Sequence, residues 1–254
     1  MISDPATAHA VHAVFEALGL AAGSQLFFRG RQKAASNSAL HGHRFLVLCS
    51  CLLGAAIGNK LVFWAEMPHL LREANGWRLL LAGQSMVGGL LGGLLGTEIA
   101  KKLVGIRTST GDAYVMPILL GLAIGRIGCF LAGLNDGTYG IPTSLPWAIN
   151  FGDGIPRHPT QLYEIAFAGM LALLLHKATP LLAASSGLRF KLMLSAYLAW
   201  RLGIDALKPI PFPWPGGLSG IQWICAVALA IYLPLTLRQW RRLHVAQEPS
   251  LPVP

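Results

Sequence analysis

Three basic residues lie inside apolar runs of the sequence, where charged side chains are rare. Arg126 stands in GLAIGRIGCFLAGL, Arg201 in AYLAWRLGIDALK and Lys60 in LLGAAIGNKLVFWA. A charged side chain at the centre of a bilayer costs about 2.5–3.5 kcal/mol on insertion scales, so such residues usually pair with an opposite charge or serve a function. These positions are therefore the first candidates for chemistry.

Arg126 has the sequence surroundings of an anion-binding residue. Gly125 and Gly128 stand on either side of it and leave space around the guanidinium. A planar, permanently charged fork of N–H donors suits a phosphate, above all where the dielectric is low. The alternative is a structural pair with a carboxylate inside the membrane, such as Glu164 or Asp205, and the two interpretations are compatible.

A second set of polar residues surrounds the loop 135–158 and the start of the next apolar run, which reads RHPTQLYE. Pro159 and Glu164 are typical of a helix beginning here. The N–H groups of a helix N-terminus beside Arg157 and His158 would also attract an anion. The candidate side chains of this region are Tyr139, Arg157, His158, Gln161, Tyr163 and Glu164.

Composition places the chain among polytopic membrane proteins. Hydrophobic residues make up 54% of the sequence and charged residues 12%, with a mean hydropathy of +0.53. Since a membrane helix needs about 20 apolar residues, we predict an all-α protein of about seven transmembrane helices with a small exterior loop region. The apolar windows are 9–28, 44–65, 79–100, 113–134, 160–176, 189–207 and 219–237. We expect one transmembrane domain, 1–245, with exterior loop 135–158, and a polar tail, 246–254.

The distribution of Lys and Arg predicts the orientation. One set of alternate inter-helix segments carries thirteen of these residues and the other carries four. By the positive-inside rule, the N-terminus is exterior and the C-terminus cytoplasmic. The net charge of +9 is spread over the ends of the cytoplasmic loops, a pattern that suits anionic membrane lipids and argues against nucleic acid as a partner.

Other residues have simpler interpretations. The glycines of the second and third windows, Gly88 and Gly89 among them, are typical of close helix packing, with a backbone approach to lipid as the alternative. Lys60 could extend from a helix end towards the interface. His9 and His12 are interpreted as solvated. The four cysteines lack CxxC spacing and are interpreted as buried apolar residues. We expect no metal and no cofactor.

Three motifs together resemble those of bacterial prolipoprotein diacylglyceryl transferases. They are GRIG-x-F, Y-G-x-P-T-x-L-P-W and RHPTQLYE, and W-R-L-G-I-D-A-L-K adds a weaker similarity around Arg201. The resemblance implies a phospholipid-dependent enzyme of the bacterial inner membrane. Its expected donor is phosphatidylglycerol or another anionic phospholipid. Its expected acceptor is the lipobox cysteine of a prolipoprotein.

The resemblance also implies roles for individual residues. Arg126 and Arg201 would bind the donor phosphate, while Glu164, Tyr163 and His158 would orient the site. Without a histidine at position 87, either His158 or Glu164 could act as base, or the positive charges could lower the pKa of the acceptor thiol. Further candidate substrate contacts are Gly125, Gly128, Tyr139, Arg157, Gln161, Gly88, Gly89, Lys60 and Asp205.

The departures from the family pattern concern the thiol-handling part of the site. Val87 stands where the family has a histidine, and Cys129 and Ala132 replace asparagines. Leu134 replaces an acid, and Ala56 replaces an arginine. These changes leave two alternatives open: a related enzyme with a different acceptor, and a non-enzymatic phospholipid-binding or transport protein. The sequence leaves open the acceptor, the base and the oligomeric state.

Overall fold

The computed structural model describes Ile2 and residues 4–33, 42–73 and 75–247. In these residues the fold is helical apart from a two-stranded ribbon, which confirms the predicted all-α class. The last seven residues of the predicted polar tail, 248–254, lie outside the described residues.

The described helices follow the apolar windows of the sequence. They are α1 (Pro5–Lys33), α2 (Arg44–Glu66), α3 (Gly76–Ala82), α4 (Met86–Leu103), α5 (Val115–Ala132), α6 (Thr160–Lys177), α7 (Thr179–Leu182), α8 (Leu188–Ile204) and α9 (Gly220–Gln247). Strands β1 (Ile149–Asn150) and β2 (Pro156–Arg157) pair antiparallel, with Ile149 opposite Arg157.

Four stretches of the described chain are long and apolar enough to cross a membrane. They are Pro5–Gly30, Arg44–Glu66, Gly111–Asp136 and Gly220–Val245. Helices α4, α6 and α8 occupy the other three predicted windows but are shorter, with 17 or 18 residues each. The protein therefore has several membrane-spanning helices, while the count of seven stays a prediction.

The predicted window 79–100 is wrong as a continuous helix. Helix α3 ends at Ala82 and α4 begins only at Met86, because Gly83 is extended and Ser85 caps the new helix. The Ser85 hydroxyl accepts a hydrogen bond from the Gly88 backbone N–H at 3.3 Å, which satisfies one of the donors that a helix start leaves unpaired. Apolar composition concealed this break.

Glycines bring α2 and α4 into backbone contact. A side chain on Gly58 or Gly92 would overlap the backbone of the opposing helix, and one on Gly88 would overlap the Gly58 carbonyl and approach Val62. Small residues allow membrane helices to approach closely and gain dispersion contacts. The packing interpretation of these glycines is therefore confirmed for Gly88. A Cβ on Gly89, by contrast, would meet open space.

Glycines also bring α1 and α5 into backbone contact. A Cβ on Gly19 would lie 2.8 Å from the carbonyl oxygen of Gly121, and one on Gly23 would lie 2.9 Å from that of Pro117. The two helices therefore pack with backbones close together along much of their length. This contact determines which α1 side chains reach the C-terminal end of α5.

The chain divides into two compact units. The first contains α1, the segment from α5 through most of α8, and the C-terminal part of α9. The second contains α2, α3, α4, the end of α8 and the start of α9. Each unit carries its own buried charged residues.

Replacing Gly88 by alanine is expected to destabilise the protein, whereas the same change at Gly89 is tolerated. The Cβ at position 88 overlaps backbone that cannot move away, and overpacking of this kind costs about 1–3 kcal/mol. The thermal unfolding midpoint of the two purified variants in one detergent measures the difference. Equal midpoints would contradict the packing role assigned to Gly88.

Candidate functional site

A buried ion pair joins α5 to α6 in the first unit. The Arg126 Nε group contacts Glu164 Oε2. Arg126 is 7% exposed and Glu164 is fully buried. Charges removed from water in this way need a partner, because a lone buried charge is very costly. The structure therefore confirms pairing with Glu164, one of the two alternatives considered for this arginine.

Gln161 lies one turn before Glu164 on the same face of α6. Its side chain is fully buried, and neither polar atom of its amide has a hydrogen-bond partner among the residues that the structure describes. Buried amides are almost always hydrogen-bonded. A buried amide of this kind, beside a buried cation–carboxylate pair, is typical of a site that accepts a polar ligand group.

The loop 135–158 is ordered by a short β ribbon and by backbone hydrogen bonds. His158 N–H donates to the Ile141 carbonyl at 3.1 Å, and Gly140 N–H donates to the His158 carbonyl at 3.0 Å. Phe151 is buried, and its ring lies 6.0 Å from that of Phe130 on α5. The loop is thus anchored on α5, directly before α6 begins at Thr160.

Three side chains meet where the loop enters α6. Tyr163 Oη accepts a hydrogen bond from Trp147 Nε1 at 2.7 Å and lies 3.3 Å from His158 Nδ1. These contacts hold His158 and Tyr163 together, while their predicted role in orienting the site stays a prediction. Whether His158 also moves a proton stays a prediction.

Arg157 is engaged within the loop. Its NH2 group donates to Asp153 Oδ2 at 2.6 Å, and its guanidinium lies 5.0 Å from the centre of the Tyr139 ring. The hydrogen bond from Arg157 holds the pKa of Asp153 below its usual range. Arg157 and Tyr139 therefore form one group, and their predicted contact with substrate stays a prediction.

The second unit contains another buried cationic group. Arg201 NH2 contacts Asp205 Oδ1 at 2.7 Å, and Lys208 Nζ lies 3.8 Å from the same oxygen. Both Arg201 and Asp205 are about 5% exposed. The sequence spacing of four and three residues places all three near one another at the end of α8.

Lys60 has a local structural role. Its Nζ donates to the Gly83 carbonyl at 2.8 Å and also to that of Leu81. The neighbouring Asn59 side chain accepts from the Ser85 N–H at 2.6 Å. These bonds satisfy backbone groups that the break between α3 and α4 exposes. A contact of Lys60 with substrate stays a prediction.

The glycines around Arg126 differ from each other. A Cβ on Gly125 would meet open space, whereas one on Gly128 would lie 2.7 Å from the Phe15 Cβ and 3.4 Å from the His12 Cα. The space at Gly128 is therefore filled by α1. This close approach brings His12 to the end of α5.

Sequence reasoning missed a cluster formed by His12, Cys129 and Asp136. Each of these three side chains offers an atom of a kind that binds metal ions. Within the part of the chain that the structure describes, the three atoms all lie within 4.8 Å of one another. Cys129 is buried, as the sequence predicted, whereas Cys49 is exposed, so the burial predicted for all four cysteines is wrong for Cys49. His12 is only 26% exposed, and its Nε2 lies 3.5 Å from Cys129 Sγ. His12 and Cys129 are 117 residues apart in the chain, so no spacing motif could have signalled the contact.

The fold and these buried charges define the class. The chain is a helical membrane protein with charged and amide side chains held inside it, as in enzymes that act on lipids. The sequence model of the prolipoprotein diacylglyceryl transferase family matches residues 5–238. The chain belongs to this family and is a membrane transferase.

Individual relatives agree with the family match. A phosphatidylglycerol–prolipoprotein diacylglyceryl transferase of Bordetella bronchiseptica is 32% identical over 189 residues, which cover 68% of this chain and 69% of the relative. One of the same name from Azoarcus sp. is 33% identical over 208 residues, covering 72% and 73%. The similarity thus extends over most of both chains.

Replacing Asp153 by asparagine is expected to loosen the loop 135–158 in a pH-dependent way. Because the pKa of Asp153 is lowered in the folded protein, its stabilising effect is present above the unfolded value, about 3.9, and is lost as the pH falls through the folded value. Pepsin cleavage of the loop should be faster in the variant at pH 4.5. The difference between the two proteins should shrink as the pH falls through the folded pKa of Asp153, and a difference independent of pH would contradict the role of the charge.

Proposed function

We propose that this protein transfers the diacylglyceryl group of phosphatidylglycerol to the cysteine thiol of a prolipoprotein lipobox. The names of its relatives support this activity. The observation that carries the proposal is the buried pair of Arg126 and Glu164 beside the buried amide of Gln161, three residues that belong to the motifs shared with the family.

The reaction makes one bond and breaks one bond at a glycerol carbon. The acceptor thiol loses its proton, and its sulfur attacks the carbon that carries the phosphate oxygen. A thioether C–S bond forms, the C–O bond breaks, and its electron pair leaves with phosphoglycerol. The site must therefore stabilise negative charge on the departing phosphate oxygen and provide a deprotonated thiol.

Arg126 is the residue we assign to the phosphate. Its guanidinium forms charge-assisted hydrogen bonds, which are strong where water is excluded. Glu164 fixes the orientation of this side chain, so the fork is held in place before the donor arrives. Gln161 supplies an uncharged donor and acceptor on the same face of α6, which suits the hydroxyl groups of a glycerol head group.

The second cationic group contributes a further assignment. We expect Arg201, oriented by Asp205 with Lys208 nearby, also to contact an anionic head group. This assignment is independent of that of Arg126. Replacing Arg201 by glutamine should therefore lower the rate at which labelled diacylglyceryl is transferred to a lipobox peptide.

Position 87 bears on the identity of the acceptor. Val87, where the family has a histidine, is 1% exposed and offers no polar atom. This observation favours a second candidate, a related transferase that uses the same donor with another thiol or hydroxyl acceptor.

We place the enzyme in the bacterial cytoplasmic membrane, with the N-terminus exterior, because its basic residues concentrate in one set of alternate segments.

Variants of Arg126 and Glu164 can distinguish a loss of catalysis from a loss of stability. Each single variant, Arg126→Gln or Glu164→Gln, removes the opposite charge from the other member of this buried pair and should cost about 3–5 kcal/mol of stability. The double variant carries neither charge and should regain most of that stability. Transfer of labelled diacylglyceryl to a lipobox peptide should nevertheless remain at least about 100-fold below wild type in the double variant.

A double variant that is stable and fully active would contradict the role of Arg126. The matched peptide with serine in place of the lipobox cysteine controls for thiol dependence. Release of phosphoglycerol without labelling of the peptide would indicate another acceptor. Donor binding without release, under conditions in which a relative is active, would indicate a lipid-binding protein.

A further inference from the structure

Three side chains at the junction of α1 and α5 form a continuous polar chain in the first unit. Cys129 Sγ lies 3.5 Å from His12 Nε2, and His12 Nδ1 lies 3.2 Å from Asp136 Oδ1. The imidazole therefore has a thiol on one nitrogen and a carboxylate on the other. Nucleophile, base and orienting group follow this order in enzymes that activate a thiol or hydroxyl.

Asp136 fixes the state of the imidazole. Its side chain is 4% exposed, and its second oxygen accepts a hydrogen bond from Thr138 Oγ1. A buried carboxylate accepts hydrogen bonds and does not donate them, so His12 Nδ1 carries the proton that Asp136 binds. In the tautomer with its proton on Nδ1, Nε2 carries the lone pair that faces the thiol.

The backbone around Asp136 explains how the side chain reaches this place. Helix α5 ends at Ala132, and a short 3-10 helix, Gly133–Asp136, follows it. Gly133 has φ 62° and Gly137 has φ 69°, and a positive φ favours glycine. The turn between them directs Asp136 back towards α1.

The His12 side chain is partly exposed, and a second carboxylate faces Nε2. The His12 side chain is 26% exposed, and the carboxylate of Glu16, which is 47% exposed, lies 3.5 Å from Nε2. One charged or titratable group that faces this imidazole, Glu16, lies on the same helix. The others come from α5 and the turn after it: Cys129, Asp136 and, on the far side of Cys129, Arg126. An incoming thiol would reach Nε2 by displacing the exposed carboxylate of Glu16.

The cluster is connected to the arginine of the candidate site. The Arg126 NH1 group points to Cys129 Sγ at a distance of 3.6 Å. Arg126, which we assign to the leaving phosphate, and Cys129, which contacts His12 Nε2, therefore lie one turn apart on α5. A base located here lies beside the reacting carbon of a donor held by Arg126.

We propose that His12 is the general base that takes the proton of the acceptor thiol, and that Asp136 is its positioning residue. The proposal depends on the function proposed above. In the step, the acceptor S–H proton passes to His12 Nε2, the thiolate attacks the glycerol carbon, and the phosphate oxygen leaves with the electron pair of the C–O bond. The proton then leaves His12 for solvent or for phosphoglycerol. His12 thereby supplies the base that Val87 cannot.

Transfer kinetics test the base with variants that retain the fold. His12→Asn keeps an N–H donor for Asp136 at the position of Nδ1 but cannot accept a proton at Nε2. Its kcat should fall at least about 100-fold, with little change in the KM for phosphatidylglycerol, because general-base catalysis typically contributes about 10²–10⁴-fold. Added imidazole should restore part of the activity of His12→Ala. His9→Ala, one turn earlier and exposed, is the matched control and should be unchanged.

A second measurement does not require the transfer reaction. Cys129 is itself a thiol 3.5 Å from His12 Nε2, so its rate of reaction with a thiol reagent reports whether this nitrogen removes a thiol proton. Site-resolved mass spectrometry should show slower labelling of Cys129 by a small methanethiosulfonate at pH 7 in His12→Asn and Asp136→Asn, and no change in His9→Ala.

The outcomes separate the two proposals. If the wild type transfers no lipid but Cys129 labelling depends on His12, the proposed function is wrong and the base is retained. If labelling and kcat are both unchanged in His12→Asn, the base is wrong. One equivalent of zinc in the purified protein, lost in His12→Asn, would also overturn the base, because the metal would occupy Nε2.

Discussion

The cost of a charge inside an apolar helix layer governs this structure. Arg126 can remain buried because α5 and α6 pack so that Glu164 meets it, and Arg201 can remain buried because Asp205 follows one turn later. Breaking such a pair leaves a charge without water or partner, which is far more costly than losing an exposed ion pair. The packing of the helices is therefore tied to the same side chains that the proposed chemistry uses.

Glycine supplies the close contacts that this arrangement needs. At Gly58 and Gly88 it allows α2 and α4 to touch, and at Gly128 it allows α1 to bring His12 against the end of α5. Without a hydrophobic driving force between helices in lipid, such backbone contact is a main source of helix association. In this protein it also sets the reach of a polar side chain, since His12 meets Cys129 only because Gly128 has no Cβ.

The two halves of the proposed reaction differ in how they are built. The phosphate-binding half uses residues from sequence motifs, close together on α5 and α6. The thiol-activating half consists of His12 on α1 and Asp136 just after α5, next to Cys129. His12 and Cys129 are 117 residues apart in the chain. A divergent member of a family can thus retain one half in place while it rebuilds the other from neighbouring side chains.

The sequence by itself determined the helical membrane class, the family and the start of α6, and it marked Arg126 and Glu164 as candidate site residues. These conclusions follow from local composition and from motifs that are contiguous in the chain. Only the tertiary structure decided that Glu164 is the partner of Arg126, that the third window breaks at Gly83, that Lys60 binds the exposed carbonyl groups there, and that His12 belongs with Cys129 and Asp136. Each depends on which helix faces meet, and hydrophobic patterning in a membrane protein does not encode this, because faces towards lipid and faces towards protein are both apolar.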